Sequence, residues 1–165
     1  MSNIPPVSQA LLEKNIPHRV FTHAGPVTSL EQAARERGQQ PEQVIRSILF
    51  RLAEGEYLMV LMAGPDQIPW KALRKFVGQS RLTMASAEEV LEVTGYEIGA
   101  VGPFGLPKPL RILIDASVVT QGEVSLGSGV RGTTIFIQVE DLIRALGEVE
   151  VVDFHDANNT NRSLI

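Results

Sequence analysis

The segment that decides the fold reads TGYEIGAVGPFG, residues 94–105, and it contains four glycines and one proline. Glycine loses more backbone entropy on folding than any other residue, so this density indicates a backbone that bends sharply or approaches another group closely. The pattern places a helix before the segment and strands after it. We therefore expect residues 94–105 to form one wall of a pocket of small-molecule size, with peptide N–H groups facing inward.

The flanking sequence predicts alternating helices and strands. Ile45–Leu52 and the almost wholly apolar Tyr57–Ala63 predict a hairpin whose second strand is central. Thr28 with Glu31, and Ser86 with Glu89, have capping-box spacing and predict helices that end near Arg37 and Thr94. Further helices are expected at 7–14, 69–77 and 140–146, a helical turn at 41–44, and strands at 16–22, 81–84, 111–115, 124–126, 133–139 and 149–154.

Composition limits the class of protein. Hydrophobic residues make up 44% of the 165 and charged residues 21%, as is ordinary for one soluble globular domain. The chain has no cysteine, which excludes disulfides, thiolate catalysis and cysteine-ligated metals. The N-terminus does not have the pattern of a signal peptide, and no apolar run approaches the length of a membrane span. We therefore expect a cytoplasmic protein without a membrane partner.

The net charge of −4 argues against an extended, nonspecific grip on DNA or RNA, which needs many cations to neutralise phosphates. It leaves room for local contact with one end of an RNA. Four basic residues, Lys71, Arg74, Lys75 and Arg81, are candidates for that contact, although a solvated helix face is the commoner reading of such a segment. There is no internal repeat or linker, so residues 1–156 are expected to form one domain and residues 157–165 a flexible tail.

Two motifs associated with ligand binding lack the context they need. Residues 127–132 match GxGxxG, but strand-like residues follow them, whereas a dinucleotide site requires a helix there. A glycine-rich turn between strands, or a second wall of the same pocket, fits better. His18 and His23 would face opposite sides of a strand and His155 lies near the C-terminus, so no metal site is expected.

Arg46 stands in an otherwise apolar strand start. The commoner interpretation is an arginine that faces outward from a half-exposed strand. The functional alternative is a fixed cation facing a phosphate or carbonyl group, to which a guanidinium can make two contacts.

Four groups of residues, in this order, resemble the YbaK / prolyl-tRNA-synthetase-associated editing domain family. They are residues 41–50 (PEQVIRSILF), the Gly95-Tyr96-x-x-Gly99-x-x-x-Pro103 pattern, Ile114-Asp115, and Gly129-x-Arg131-Gly132 leading to Val139-Glu140-Asp141-Leu142. Each motif is weak alone, but their order and spacing are fairly specific, and together they span residues 7–147. The resemblance implies a mixed α/β (α+β) single domain with a curved, mostly antiparallel central sheet flanked by helices.

The resemblance also implies trans-editing, the hydrolysis of the ester that joins a wrong amino acid to tRNA, without metal or organic cofactor. Arg46 occupies the position of a lysine that is central to activity in the family, Gly102 the position of a serine in many members, and Thr134 that of an aspartate in some. The implied catalytic residues are Arg46 and Gly102. The implied substrate-binding residues are Gly99, Ala100, Val101, Pro103, Gly129, Arg131 and Thr134.

Two functions follow as hypotheses. The first is a free-standing deacylase whose partner is mischarged tRNA. The second is a binding module that keeps the fold and an affinity for tRNA 3′ ends or nucleotides without turnover, with an aminoacyl-tRNA synthetase as a further candidate partner.

Overall fold

The fold was analysed in a computed structural model, which describes residues 4–53, 55–155 and 161–163. Helices and strands alternate irregularly along the chain. The helices are α1 Pro6–Glu13, α2 Leu30–Arg37, α3 Trp70–Val77, α4 Ala87–Thr94, α5 Ala116–Val119 and α6 Val139–Leu146, with a 3₁₀ turn at Pro41–Gln43. The strands are β1 Arg19–Thr22, β2 Ile45–Ala53, β3 Glu56–Ala63, β4 Thr83–Met84, β5 Arg111–Asp115, β6 Glu123–Gly127, β7 Thr133–Gln138, β8 Glu150–Val152 and β9 Asn161–Ser163.

The strands form two hydrogen-bonded sheets. A six-stranded mixed sheet has the order β4-β2-β3-β5-β8-β9, and a three-stranded antiparallel sheet has the order β1-β7-β6. Five of the seven strand pairs are antiparallel, and β5 runs parallel to both β3 and β8. Among the described residues, one bridge, between Val44 and Ser125, joins the two sheets. The prediction of one mixed, mostly antiparallel α/β fold is confirmed, with the strands divided between two sheets.

The β2–β3 hairpin is the centre of the core, as predicted. Side chains alternate across a strand, so β2 and β3 each contribute to two apolar clusters. Ile45 and Leu49 pack with residues of β6, β7, α4 and α6 in the larger cluster. Phe50 packs on the opposite face with α3, where its ring meets Trp70 edge-on at 5.2 Å between centroids.

Most helix ends follow their sequence signals. Ser86 and Glu89 form the predicted capping box at the start of α4, and Gly38, Gly78 and Gly147 end their helices with positive φ. The cap of α2 lies one residue later than predicted, because Ser29 accepts the Gln32 N–H and the Gln32 side chain accepts the Thr28 N–H. Gln32 thus takes the reciprocal role that was expected of Glu31.

Three predicted strands are shorter than expected, for local reasons. β1 begins at Arg19, since the Ile16 N–H already bonds to Leu11 O at the end of α1 and Pro17 has no N–H. β4 is reduced to Thr83–Met84. β8 ends at Val152, and the Phe154 N–H is directed to the Asp115 carboxylate instead. The predicted tail from residue 157 lies largely outside the described residues, apart from β9, which pairs with β8.

The short helix α5 was not predicted. It follows β5 directly, and the Asp115 side chain caps it by accepting the Ser117 N–H at 2.9 Å. None of the described helices is long and apolar enough to cross a bilayer.

Candidate functional site

A groove of about 810 Å³ runs along the free edge of β2. This edge is open because the neighbouring strand β4 pairs only with Phe50 and Arg51. The walls come from α2, the start of β2, α4 and two loop segments, 98–101 and 126–134. Polar side chains on the groove include Arg37, Arg46, Arg131, His23, Ser47 and Thr134. Among the described residues no carboxylate borders it, although the chain carries more acidic than basic residues.

The two glycine-rich segments meet directly beside the groove. The Gly129 N–H donates to Ala100 O at 2.8 Å. A methyl group on Gly102 would lie under 3.0 Å from Gly127 O and 2.8 Å from Val7 Cγ2, and one on Gly129 would lie 2.8 Å from the Tyr96 ring. Contacts that close do not occur for a real Cβ, so glycine is required at both positions.

The GxGxxG segment is the turn between strands that the sequence favoured. β6 ends at Gly127 and β7 begins at Thr133, so no helix follows the glycines. Gly127, Arg131 and Gly132 line the groove. The segment therefore forms part of the groove wall, without the helix N-terminus of a dinucleotide site.

The nine residues predicted for the site fall into two groups. Five of them line the groove: Arg46, Gly99, Val101, Arg131 and Thr134. The other four, Ala100, Gly102, Pro103 and Gly129, do not border it. Ala100, Gly102 and Gly129 belong to the joint between the two glycine-rich segments, and Pro103 is buried next to Gly102. Their placement gives them a packing role, and a direct role in catalysis or binding stays a prediction.

Arg46 is half-buried on the face of β2 that also carries Ile48 and Phe50. Its Nε donates to Gly64 O at 2.7 Å, and its Nη2 donates to Asp66 O. Burial lowers the pKa of Arg46, and the Asp66 charge opposes that shift. Arg46 therefore clamps the loop after β3 and also lines the groove, and its role as a cation that faces a ligand stays a prediction.

Arg131 lies at the open rim, where 65% of its side chain is exposed. It pairs with Glu97 at 3.1 Å, and its Nε and Nη2 both donate to Ile98 O. These contacts tie the segment after β6 to the segment after α4. The four basic residues of the segment 71–81 do not border the groove.

Two hydroxyl groups border the groove near the start of β2. Thr134 is buried and donates to Leu126 O at 2.8 Å. The Ser47 hydroxyl is buried and has no hydrogen-bond partner in the described part of the chain. A buried unpaired hydroxyl is costly, and Ser47 carries that cost beside the groove.

Sequence reasoning missed the most enclosed cation of the groove. Arg37, in the last turn of α2, donates from Nε to His23 Nε2 at 3.0 Å and from Nη1 to Ser125 Oγ at 2.9 Å. Burial lowers its pKa to about 10, against the opposing charge of Glu36. The only local signal was a basic residue before Gly38, which is common at helix ends.

The histidines have separate partners. His18 bonds to Ser8 at 2.7 Å, and His23 bonds to Glu36 at 2.7 Å. In the described residues, one group could offer ligand atoms to a metal: Asp115, Asp153 and His155, within 4.8 Å of one another. Both Asp115 oxygens accept peptide N–H groups, from Ser117 and Phe154, and these bonds account for its burial.

Comparison with known proteins assigns the fold to a family. The sequence pattern of the aminoacyl-tRNA editing domain matches residues 24–145, which is most of the chain and the whole of the groove apart from His23. The chain belongs to the aminoacyl-tRNA editing domain family. In structure it resembles a proposed trans-editing enzyme for prolyl-tRNA synthetase, with a TM-score of 0.82 and 25% identity over 93% of this chain and 97% of the other.

Among curated proteins, this editing domain is similar to proline–tRNA ligases. It is 32% identical to that of Bacillus licheniformis over 106 residues and 35% identical to that of Kosmotoga olearia over 92 residues. These matches cover 64% and 56% of this chain but only 18% and 16% of the ligases. The chain therefore spans less than a fifth of the length of these relatives and corresponds to one module of them.

Proposed function

We propose that this protein is a trans-editing deacylase that hydrolyses the ester bond of mischarged tRNA. The observation that supports it most is the charge of the groove: three arginines and no carboxylate border it among the described residues, in a chain of net charge −4. Such a groove favours an anionic ligand, and the 3′ end of a tRNA brings phosphates to it. This substrate places the protein in the cytoplasm with the translation machinery.

The chemistry requires little covalent help from the protein. An aminoacyl ester is already activated, so catalysis needs a positioned carbonyl, a water molecule and donors for the developing oxyanion. The substrate's own ribose hydroxyl can help to activate the water. The chain has no cysteine, and within the part that the structure describes no nucleophile–histidine pair lies on the groove; both facts are compatible with this mechanism.

Peptide N–H groups of the glycine-rich segment are the candidate oxyanion donors. Gly99 and Val101 line the groove, and in the described part of the chain their N–H groups donate to no other group. The Ala100 carbonyl accepts a hydrogen bond from the Gly129 N–H. In a planar trans peptide the C=O of one residue and the N–H of the next point in opposite directions, so the Val101 N–H points away from Gly129. This arrangement leaves the Val101 N–H available to a substrate.

Arg46 is the proposed electrostatic anchor. Its bonds to Gly64 and Asp66 hold the guanidinium in one orientation, which reduces the cost of ordering it when substrate binds. An arginine stays charged at physiological pH, so it can orient a phosphate or carbonyl oxygen but cannot act as a neutral amine. Arg131 at the rim is placed to meet the approaching RNA backbone.

The second candidate function is a binding module without turnover. Its support is that Arg46, Gly102 and Thr134 all differ from the residues expected of active family members. A synthetase partner would supply further tRNA contacts, and the similarity to one module of the proline–tRNA ligases is compatible with such an association.

A panel of mischarged tRNAs tests the proposal. The purified protein is incubated with each aminoacyl-tRNA, and loss of the ester is followed against spontaneous hydrolysis. We expect accelerated hydrolysis of at least one mischarged species and no acceleration for correctly charged tRNAs. If no species is hydrolysed at high protein concentration while tRNA still binds, the protein is a binding module and the deacylase proposal is wrong.

A further inference from the structure

Arg37 lines the groove and is held there by two buried partners. The His23 side chain is 1% exposed and Ser125 is fully buried. A guanidinium only donates, so the bond from Arg37 Nε requires His23 Nε2 to be the acceptor. The His23 Nδ1 then carries the proton and donates to Glu36. His23 and Ser125 are thus positioning residues for Arg37.

The charge of Arg37 is not neutralised by this network. Within residues 4–53 and 55–155 no carboxylate oxygen forms an ion pair with it, and no acceptor is bonded to its Nη2. The Glu36 carboxylate is taken up by His23 and Gln32. Burial lowers the pKa of Arg37 to about 10, because the guanidinium is partly shielded from water. Water therefore compensates only in part for the lack of a carboxylate partner.

These contacts leave Arg37 Nη2 as an unpaired donor of a partly buried side chain that lines the groove. A bound group that brings an oxygen acceptor would pair with Arg37 Nη2, whereas a hydrocarbon group would leave the donor unpaired. A ligand that fills the groove excludes water from this donor, and a polar group left unpaired in that way disfavours the ligand much more strongly than an apolar pocket disfavours an extra methylene. The open rim, where Arg131 is exposed, is the side from which a tRNA end can enter. The aminoacyl side chain would then lie toward Arg37.

We propose that Arg37 is a specificity-determining residue, whose Nη2 binds a side-chain oxygen of the aminoacyl group. The groove would therefore prefer acyl groups with a side-chain carboxylate or amide over hydrocarbon groups of the same shape. This inference rests on the proposed function for the identity of the ligand, but it concerns binding and does not require turnover.

The test uses non-hydrolysable 3′-aminoacylamino-3′-deoxyadenosines that carry aspartyl, asparaginyl or leucyl groups, titrated into the full-length protein. Asparagine and leucine have nearly the same shape, so their comparison isolates the side-chain oxygen. We expect the wild type to bind the aspartyl and asparaginyl compounds about tenfold or more tightly than the leucyl compound. Arg37→Met should reduce this ratio to about one, and Arg37→Lys should retain part of it.

The preference is a ratio of affinities measured on one protein preparation. An unfolded fraction lowers the apparent binding of every compound equally, so partial unfolding of a variant does not change this ratio. Arg35→Met is the matched control, because Arg35 is exposed on the same helix, and it should keep the wild-type ratio. A wild type that binds none of the compounds, or that shows no preference, overturns the inference. So does a preference that survives in Arg37→Met.

Arg37 Nη2 could bind an oxygen of the acyl side chain or an oxygen of a phosphate group. The same compounds carrying a 5′-phosphate distinguish these two cases. If Arg37→Met weakens only the phosphorylated compounds, and does so equally for every acyl group, Arg37 binds phosphate and the inference is wrong. Failure of the deacylase proposal is a separate result, because it is read from ester hydrolysis alone.

Discussion

Replacing Gly102 with alanine should destabilise the protein through the joint beneath the groove. The added methyl would lie under 3.0 Å from Gly127 O and 2.8 Å from Val7 Cγ2. Val7 is fully buried and Gly127 O belongs to the backbone of β6, so neither atom can move away cheaply. Overpacking of a filled core costs about 1–3 kcal/mol, and two rigid neighbours place this site near the upper end, at about 3 kcal/mol.

Urea unfolding measures this cost, with Trp70 as the single tryptophan reporter. We expect Gly102→Ala to lower the midpoint with an unchanged slope, which corresponds to a loss of stability rather than of compactness. Gly122→Ala is the control, because its methyl would meet nothing within 4 Å and its φ is outside the left-handed region. That variant should be neutral, or more stable by about 0.4–1 kcal/mol, since alanine restricts the unfolded chain.

The reasoning is refuted if Gly102→Ala unfolds within about 0.5 kcal/mol of the wild type, the usual range for substitutions away from tight packing. If Gly102→Ala is destabilised but still folded, ligand binding by this variant can also be measured. Gly127 lines the groove, so displacing it should narrow the groove and weaken ligand binding, even though Gly102 itself does not border the groove.

Two further substitutions test hydrogen bonds of α4 and of the glycine-rich segment that follows it. Glu89 accepts bonds from the Ser86 N–H and the Tyr57 hydroxyl, which lower its pKa from 4.5 to about 2. A carboxylate with a depressed pKa stabilises the fold above about pH 4.5, and this contribution is lost as the pH falls toward 2. Glu89→Gln should therefore be less stable than the wild type at neutral pH, with a difference that shrinks over that range. Glu88→Gln, in the same helical turn, is the control, and equal pH dependence of the two variants would contradict the assignment. Tyr96→Phe removes the buried hydrogen bond from the tyrosine hydroxyl to Phe104 O, which is 2.5 Å long. It should lower the free energy of unfolding by about 1–2 kcal/mol, measured by thermal or urea unfolding. An unchanged free energy of unfolding would mean that the bond contributes nothing to stability.

Features set by neighbouring residues could be predicted from the sequence. The capping box of α4, the glycine stops after α2, α3 and α6, and the β2–β3 hairpin all depend on spacings of a few residues. The cap of α2 was misplaced by one residue because two overlapping sequences, beginning at Thr28 and Ser29, both satisfy the spacing, and the local geometry chose the second.

Features set by distant residues could not be predicted in the same way. The bond from Arg37 to Ser125 joins residues 88 positions apart, and it forms only because the fold brings the last turn of α2 within side-chain reach of β6. The sequence predicts Gly102 in the wall of the pocket. In the structure it packs against Val7 and Gly127 and does not border the groove. For Arg46, the carbonyls of Gly64 and Asp66 become partners only after the hairpin has formed.

The measurement that tests the account most directly is single-turnover hydrolysis of the mischarged tRNA that the panel identifies, by wild type and Arg46→Ala side by side. Circular dichroism and urea unfolding establish that both proteins are folded. We expect ester loss well above the spontaneous rate with the wild type and at least a tenfold lower rate with Arg46→Ala, the loss expected for about 1.4 kcal/mol or more of transition-state stabilisation. Equal rates for the two proteins, or no hydrolysis of any mischarged tRNA by the wild type, would show that Arg46 does not anchor the substrate of a deacylase.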